Sequence, residues 1–143
     1  MTICGLEYVI AETTDSDRWR VLAEDVLGLS QTTKHTRPGW NFYKMDDRIF
    51  RLAVRAGNEN RYVLAGWDVG DESALAAFAK RLTASGIAVE HGTPLDCAER
   101  GVLGLIRFAD ADGNCHELVH GGHRDYQWEA RPGGPHRFVT DPM

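Results

Sequence analysis

The sequence predicts an α+β domain in which two tandem β-α-β-β-β modules pair into a curved mixed sheet with helices on the outside. The main observation is an internal repeat, because the strand-then-helix pattern of residues 8–29 recurs 56 positions later, at residues 64–87. At this offset, Asp15, Trp19, Leu22, Ala23 and Val26 superpose on Asp71, Leu75, Phe78, Ala79 and Leu82. The repeat indicates that one supersecondary unit occurs twice.

The first module begins with an apolar run at residues 6–11, which predicts a mostly buried strand. Thr14 and Asp17 have the spacing of a capping box that opens a helix. Gly28 ends this helix. A strand within the polar segment 29–37 and two more at 40–45 and 49–54 complete the unit. The apolar face of the helix is predicted to contain Trp19, Leu22, Ala23, Val26 and Leu27.

The second module repeats this order. A strand at 62–69 precedes Asp71, the predicted cap of a helix that ends at Gly86. Short strands follow at 87–90, 102–108 and 115–120, with a loop at 92–101 that has room for one helical turn. The predicted paired-module domain therefore covers residues 1–121, with module 1 at about 3–57 and module 2 at about 61–121. Residues 122–143, with Pro and Gly at 132–135, are predicted to form a strap or interdomain linker.

Composition limits the kind of partner. A net charge of −5 with scattered Lys and Arg argues against nucleic acid or an anionic membrane. Apolar runs stay short of the roughly 18 residues that a membrane span needs, and the first residues do not form a visible secretory signal. Cys4, Cys97 and Cys115 are odd in number, which favours reduced thiols. We therefore expect a cytoplasmic protein.

The ordered series of residues resembles the vicinal oxygen chelate superfamily, which also contains glyoxalases and bleomycin-resistance proteins. The resemblance is strongest to the amino-terminal domain of two-domain extradiol ring-cleaving dioxygenases of the 2,3-dihydroxybiphenyl 1,2-dioxygenase type. It covers about residues 3–122. The residues that carry it are Leu6, Tyr8, 19–20, 27–29, 47–48, 51–54, 65–69, 86–89, 100–102, 104–110, Gly113, Glu117 and Gly121.

The resemblance also implies where an iron site would lie. The family's reaction uses Fe(II) held by two His and one carboxylate, which leaves positions open for substrate. Carried over to this chain, the three ligand positions are Tyr8, Leu64 and Glu117. A leucine has no lone pair to donate and a neutral phenol is a poor ligand for ferrous iron, so only the carboxylate remains. We therefore predict no catalytic residue, metal ligand or cofactor in this chain, and Fe(II) in a separate catalytic domain of the parent enzyme.

His116 and His120 are the other candidates for metal ligands. In a helix, their spacing would let both bind one ion, but in the predicted strand they lie about 13 Å apart. Glu117 would also face the opposite side of that strand. We therefore interpret both histidines as solvated. For Glu117 itself, the sequence leaves open a relic ligand or polar anchor and a carboxylate tied to Arg, Tyr or backbone.

The leading hypothesis is the non-catalytic, amino-terminal domain of an extradiol catechol dioxygenase in aromatic catabolism. Its parent reaction would be Fe(II)-dependent O2 insertion that opens the catechol ring. The expected partners are a carboxy-terminal catalytic domain of the same protein and further copies in a homo-oligomer. One alternative is a free-standing small-molecule-binding protein with a pocket formed by Tyr8, Trp67 and Glu117. The other is a metal-dependent, glyoxalase-like enzyme that completes its ligand set across a dimer.

Overall fold

A computed structural model of the chain describes residues 2–126. The strands are β1 (Gly5–Thr13), β2 (Ser30–Gln31), β3 (Trp40–Lys44), β4 (Leu52–Ala56), β5 (Arg61–Asp68), β6 (Glu90–His91), β7 (Gly104–Ala109) and β8 (Cys115–His120). The helices are α1 (Ser16–Arg20), which continues as a π-helix over Val21–Val26, α2 (Glu72–Ala84) and α3 (Pro94–Arg100).

The described residues form two compact units. The first unit contains residues 8–63 and 124–126, and the second contains residues 2–7 and 64–123. Strands of the first unit follow the order β2-β3-β4-β1, and those of the second follow β5-β8-β7-β6. In each unit the first and last strands are parallel, while the other neighbours are antiparallel. This shared topology confirms the α+β class and the duplicated β-α-β-β-β unit.

Both long helices begin at an aspartate. Asp15 accepts a hydrogen bond from the Arg18 backbone N–H (3.1 Å), and Asp71 accepts one from that of Ala74 (2.8 Å). The repeat therefore located both caps correctly, whereas the capping box of Thr14 and Asp17 is wrong. A true capping box forms at α3, the helical turn for which the loop had room.

The apolar face that we predicted for the first helix is wrong except at Trp19 and Ala23. Ala23 is buried against the sheet, but Leu22, Val26 and Leu27 are exposed. The backbone explains the difference, because the Leu27 N–H donates to the Leu22 carbonyl (2.9 Å), an i→i+5 bond. A π-helical turn is wider than an α-helical one, so the 3.6-residue period no longer places these side chains on the core face.

The equivalent helix α2 behaves as predicted. Leu75 and Ala79 are buried, and Phe78 and Leu82 pack against the same core. The helix ends in a Schellman motif, in which the Gly86 N–H donates to the Thr83 carbonyl (3.0 Å). Gly86 adopts a φ of 79°, a backbone conformation that is unfavourable for residues with a Cβ atom.

The turn between β3 and β4 is longer than predicted, so β4 begins three residues after the expected start at residue 49. The buried Asp46 accepts a hydrogen bond from the Arg48 backbone N–H (3.1 Å). The Arg51 guanidinium donates to Asp46 Oδ2 from Nε (2.9 Å) and Nη2 (2.6 Å), and its Nε also lies 3.1 Å from Oδ1. This ion pair holds residues up to Arg51 in the turn.

The first residues of the predicted strap pack within the first unit. The buried Lys44 ammonium donates to the Asp125 backbone oxygen and Oδ2, both at 3.0 Å, and Lys34 donates to Oδ1 at 2.8 Å. Arg124 donates to the Asp47 carboxylate (2.7 Å). The rest of the predicted strap, residues 127–143, lies outside the described part of the chain.

Replacing Gly86 with alanine tests the Schellman motif. The Cβ of Gly86→Ala meets no atom within 4 Å, so the cost is that of the backbone conformation alone. We expect the free energy of unfolding in urea to fall by about 1–2 kcal/mol. Gly5→Ala is the control, since Gly5 also has open space but no positive φ. Equal effects of the two substitutions would contradict this explanation.

Candidate functional site

Glu117 is the centre of a buried, charged site in the second unit. Its side chain is 0% exposed. Arg100 donates to Oε2 from Nε (2.9 Å), and Arg107 donates to Oε1 from Nη2 (2.6 Å) and Nε (3.0 Å). A second Arg100 nitrogen lies 3.2 Å from Oε1. We call Glu117, Arg100 and Arg107 the arginine clamp.

Local structure brings the three residues of the arginine clamp together. Glu117 and Arg107 are direct partners in the register of β8 and β7, so their side chains share one face of the hairpin. Arg100 is the last residue of α3, where Gly101 in the left-handed region ends the helix and turns the chain toward β7. Gly66 lies opposite Glu117 on β5.

Two further acidic residues lie beside Arg107, the more exposed arginine of the arginine clamp. Arg107 Nη1 donates to the exposed Glu90 (3.1 Å), and its Nη2 lies 3.9 Å from Asp96. Burial lowers the pKa of Arg107, but the hydrogen bonds and charge of Glu117 outweigh it and leave the pKa above its ordinary value. Arg107 therefore keeps its positive charge beside Glu117.

The other two implied ligand positions offer no metal donor of the expected kind. Leu64 lies on the same face of the sheet as Glu117, since it precedes Gly66 by two residues on β5. Its side chain is buried and aliphatic. Tyr8 lies in the first unit, fully buried, with its ring stacked on that of Phe50 at a centroid distance of 5.3 Å.

Trp67 does not share a face with Glu117, so the predicted grouping of these two residues in one pocket is wrong. Trp67 pairs with Leu118 in the register of β5 and β8, and it packs against the core beneath α2. Strand alternation explains the error, because residues 64 and 66 face one side and residue 67 the other.

His116 lies on the Trp67 face and is not the solvated residue that we predicted. The Trp67 indole N–H donates to His116 Nδ1 (3.2 Å), and His116 Nε2 lies 2.9 Å from Asp110 Oδ2. Because an indole nitrogen can only donate, Nδ1 must accept and Nε2 carries the proton toward Asp110. His116 and His120 do lie in a strand, as predicted, and Glu117 faces away from both.

Comparison with known proteins identifies the fold. The family model described as "Dihydroxybiphenyl dioxygenase BphC D1" matches residues 6–57. An iron-dependent extradiol dioxygenase of Rhodococcus jostii (strain RHA1) is 34% identical over 140 residues, covering 98% of this chain and 46% of the relative. A biphenyl-2,3-diol 1,2-dioxygenase of Paraburkholderia xenovorans (strain LB400) is 33% identical, covering 93% and 44%.

The similar solved structures include enzymes of the same class as these relatives. A crystal structure of catechol 2,3-dioxygenase superposes with a TM-score of 0.90 and 28% identity, covering 99% of this chain and 50% of that one. The chain shares the vicinal oxygen chelate fold of these proteins. It resembles one domain of the extradiol dioxygenases, and it spans somewhat less than half the length of the curated relatives it matches. A Mn(II)-bound glyoxalase from Novosphingobium aromaticivorans shares the fold alone, with a TM-score of 0.76 and 20% identity.

The residues of this vicinal oxygen chelate domain do not fit the ferrous ion that its dioxygenase relatives suggest. Both Glu117 oxygens accept from guanidinium groups, and two fixed positive charges beside the carboxylate oppose the approach of a divalent cation. Cys115 lies two residues from Glu117 on the same face of β8, and burial, followed by the charge of Glu117, raises the pKa of its thiol. Its thiolate is therefore disfavoured as a ligand.

Other side chains of the described residues do not form a metal site either. Among residues 2–126, no three His, Cys, Asp or Glu side chains gather in a way that could hold a metal ion.

In the same part of the chain, no helix is both long and apolar enough to span a membrane.

Sequence analysis left open a Glu117 carboxylate tied to Arg, and this alternative is the one the structure shows. It did not assign Arg100 or Arg107 to the site, although the register of the predicted hairpin would have paired Arg107 with Glu117.

Neutralising Glu117 tests the arginine clamp. Glu117→Gln leaves Arg100 and Arg107 without their shared counter-charge in a buried site, so we expect unfolding free energy to fall by about 3–5 kcal/mol. Glu90→Gln removes an exposed partner of Arg107 and serves as the matched control, with an expected loss of about 0–1 kcal/mol. Urea titrations measure both. A cost for Glu117→Gln no larger than that of the control would show that the clamp contributes little to stability.

The Asp110–His116 contact predicts a specific response to acid. Hydrogen bonds from His116 first, and then from Asn114, hold the pKa of Asp110 well below its ordinary value. A carboxyl whose pKa is lower in the native state than in the unfolded state stabilises the fold at pH values above the unfolded-state pKa of about 3.9. This stabilisation is lost as the pH falls from that value toward the native-state pKa. We expect Asp110→Asn to flatten the decline of the midpoint of thermal unfolding below about pH 4. Asp112→Asn, the same change of residue type in the same turn, is the control.

Proposed function

We propose that this chain is the non-catalytic, amino-terminal half of an extradiol catechol dioxygenase, with iron held by a carboxy-terminal catalytic domain of the same protein. The expected parent reaction is Fe(II)-dependent insertion of O2 beside the diol of a catechol, which opens the ring. Two comparisons support the assignment: the chain covers 46% of an iron-dependent extradiol dioxygenase, and the matching family model carries the designation D1.

The arginine clamp is the observation on which the non-catalytic role depends. Iron in this family requires open coordination positions and three protein donors. Here the one carboxylate is fully buried and bound by Arg100 and Arg107, and its neighbour Leu64 is aliphatic. A chain with these residues contributes scaffold and contact surface rather than chemistry.

The proposed partners and location follow from the same assignment. The catalytic domain would be the main partner, and further copies of the protein the second. A net charge of −5 argues against nucleic acid and anionic membranes as partners. Cys4, Cys97 and Cys115, all within the described residues, are not joined by disulfides, which agrees with the cytoplasm as the expected compartment.

Metal content and turnover of the purified chain test this proposal. We expect the 143-residue chain, loaded anaerobically with Fe(II) and desalted, to retain far less than one equivalent of iron by mass spectrometry. Added to aerobic 2,3-dihydroxybiphenyl or catechol, it should form no yellow ring-opened product, while the Rhodococcus jostii relative assayed in parallel forms it readily.

A folded control variant strengthens the same test. Cys115→Ser removes a thiol two residues from Glu117 on the same face of β8, and we expect it to change neither iron content nor turnover. Stoichiometric iron in the wild-type chain together with turnover on the order of 1 s⁻¹ or faster would overturn the proposal, because such rates are those of a working enzyme.

A further inference from the structure

The buried carboxylate of Asp125 is held by two lysines from separate parts of the first unit. Lys34 Nζ lies 2.8 Å from Oδ1, and Lys44 Nζ lies 3.0 Å from Oδ2, so each carboxylate oxygen contacts its own ammonium group. The side chains of Asp125 and Lys44 are 8% and 4% exposed, whereas that of Lys34 is 49% exposed. The carboxylate therefore lies just beneath the surface, with Lys34 on its outer side. We call Lys34 and Lys44 the lysine pair.

The sheet positions the lysine pair. Lys44 is the last residue of β3, which pairs with β2 on one side and with β4 on the other. Lys34 lies two residues beyond Thr32, whose N–H donates to the Phe42 carbonyl (2.9 Å) and keeps the chain beside β3. Backbone pairing that does not involve Asp125 therefore holds both lysines in place.

Asp125 reaches the lysine pair from a short segment on the surface. Its backbone N–H donates to the Asp47 carbonyl (2.7 Å), and its own carbonyl accepts from Lys44 Nζ (3.0 Å). The residues on either side are exposed, since Arg124 pairs with the Asp47 carboxylate at the surface and Tyr126 is 80% exposed. Asp125 thus inserts one carboxylate between the two ammonium groups, as a bound acid would.

The chemistry of the lysine pair selects a small carboxylate. Two ammonium groups, one for each oxygen, suit a planar anion with two equivalent acceptors, and such charge-assisted hydrogen bonds are strong. Removing the Asp125 carboxylate would leave the buried Lys44 ammonium without this counter-charge, which is unfavourable. The vacated space would have the volume of one carboxylate group, so an acid of that size should enter it.

We propose that the lysine pair forms a binding site for a small monocarboxylate, which Asp125 occupies as an internal ligand. A free carboxylate and Asp125 use the same two ammonium groups, so each excludes the other. The tethered Asp125 holds the site in the wild-type chain, because its effective concentration there exceeds that of a dilute free acid. The inference does not depend on the proposed function, since it concerns neither iron nor turnover, and either can fail alone.

Rescue by formate tests this proposal in the full 143-residue chain. Asp125→Ala removes one carbon and two oxygens, which are the heavy atoms of formate. An ion of three heavy atoms binds in the millimolar range at best, so the titration extends to about 0.1 M, with chloride keeping the ionic strength constant. We expect formate to raise the midpoint of thermal unfolding of Asp125→Ala by about 3 °C or more relative to chloride.

Asp125→Asn is the matched control. Its amide fills the space of the carboxylate without the charge, so formate cannot enter and should change the midpoint no more than chloride does. The wild-type chain should be equally insensitive, because Asp125 occupies the site. In the double variant Asp125→Ala/Lys34→Met, which removes the half-exposed ammonium group, at least half of the formate effect should be lost.

Three results would overturn the proposal. The first is no formate-specific gain in Asp125→Ala, whether measured as the unfolding midpoint or, for a variant unfolded in chloride, as recovery of the folded circular dichroism spectrum. The second is an equal gain in Asp125→Asn or in the wild-type chain, which would mark a general effect of the salt. The third is a double variant that keeps the full formate effect, because the lysine pair would then not be the site.

Discussion

A carboxylate withdrawn completely from water needs compensating positive charge, and in this chain two guanidinium groups supply it. The arginine clamp joins the end of α3, strand β7 and strand β8 at one buried point, so the second unit depends on it for the packing of three elements. The arginine clamp also determines whether Glu117 can bind a metal ion. The same carboxylate could accept a ferrous ion only if both arginines withdrew, and each would then lose a charge-assisted hydrogen bond to a fully buried carboxylate.

The two units show how one topology accommodates different interiors. The face of the second unit that carries Glu117 contains buried charge, whereas the buried Tyr8 and Phe50 of the first unit form a ring stack. Helix packing differs as well, since α2 uses a regular apolar stripe and the π-helical segment buries only Ala23. Duplication therefore preserved strand order and helix caps while side-chain function diverged.

Sequence periodicity was enough to predict most of the fold. Strand β8 has the bounds that we predicted, and the repeat offset located both helix-capping aspartates. The π-helical segment could not be predicted, because its apolar residues also match an α-helical stripe and only the backbone hydrogen bonds distinguish the two. The misplacement of Trp67 was avoidable, since an odd separation from Leu64 in one strand requires opposite faces. The partners of His116 depend on cross-strand register, which residue types alone do not give.

The ion pair between Lys44 and Asp125 has a consequence for biosynthesis. The two residues are 81 positions apart in the chain, yet both are buried in the first unit. At ribosomal elongation rates of about 5–20 residues per second, roughly 4–16 s separate the synthesis of the ammonium group from that of its carboxylate. During that interval the nascent first unit must leave Lys44 in water. It therefore reaches its native packing only after the second unit has been translated, and folding of the two halves is coupled in time.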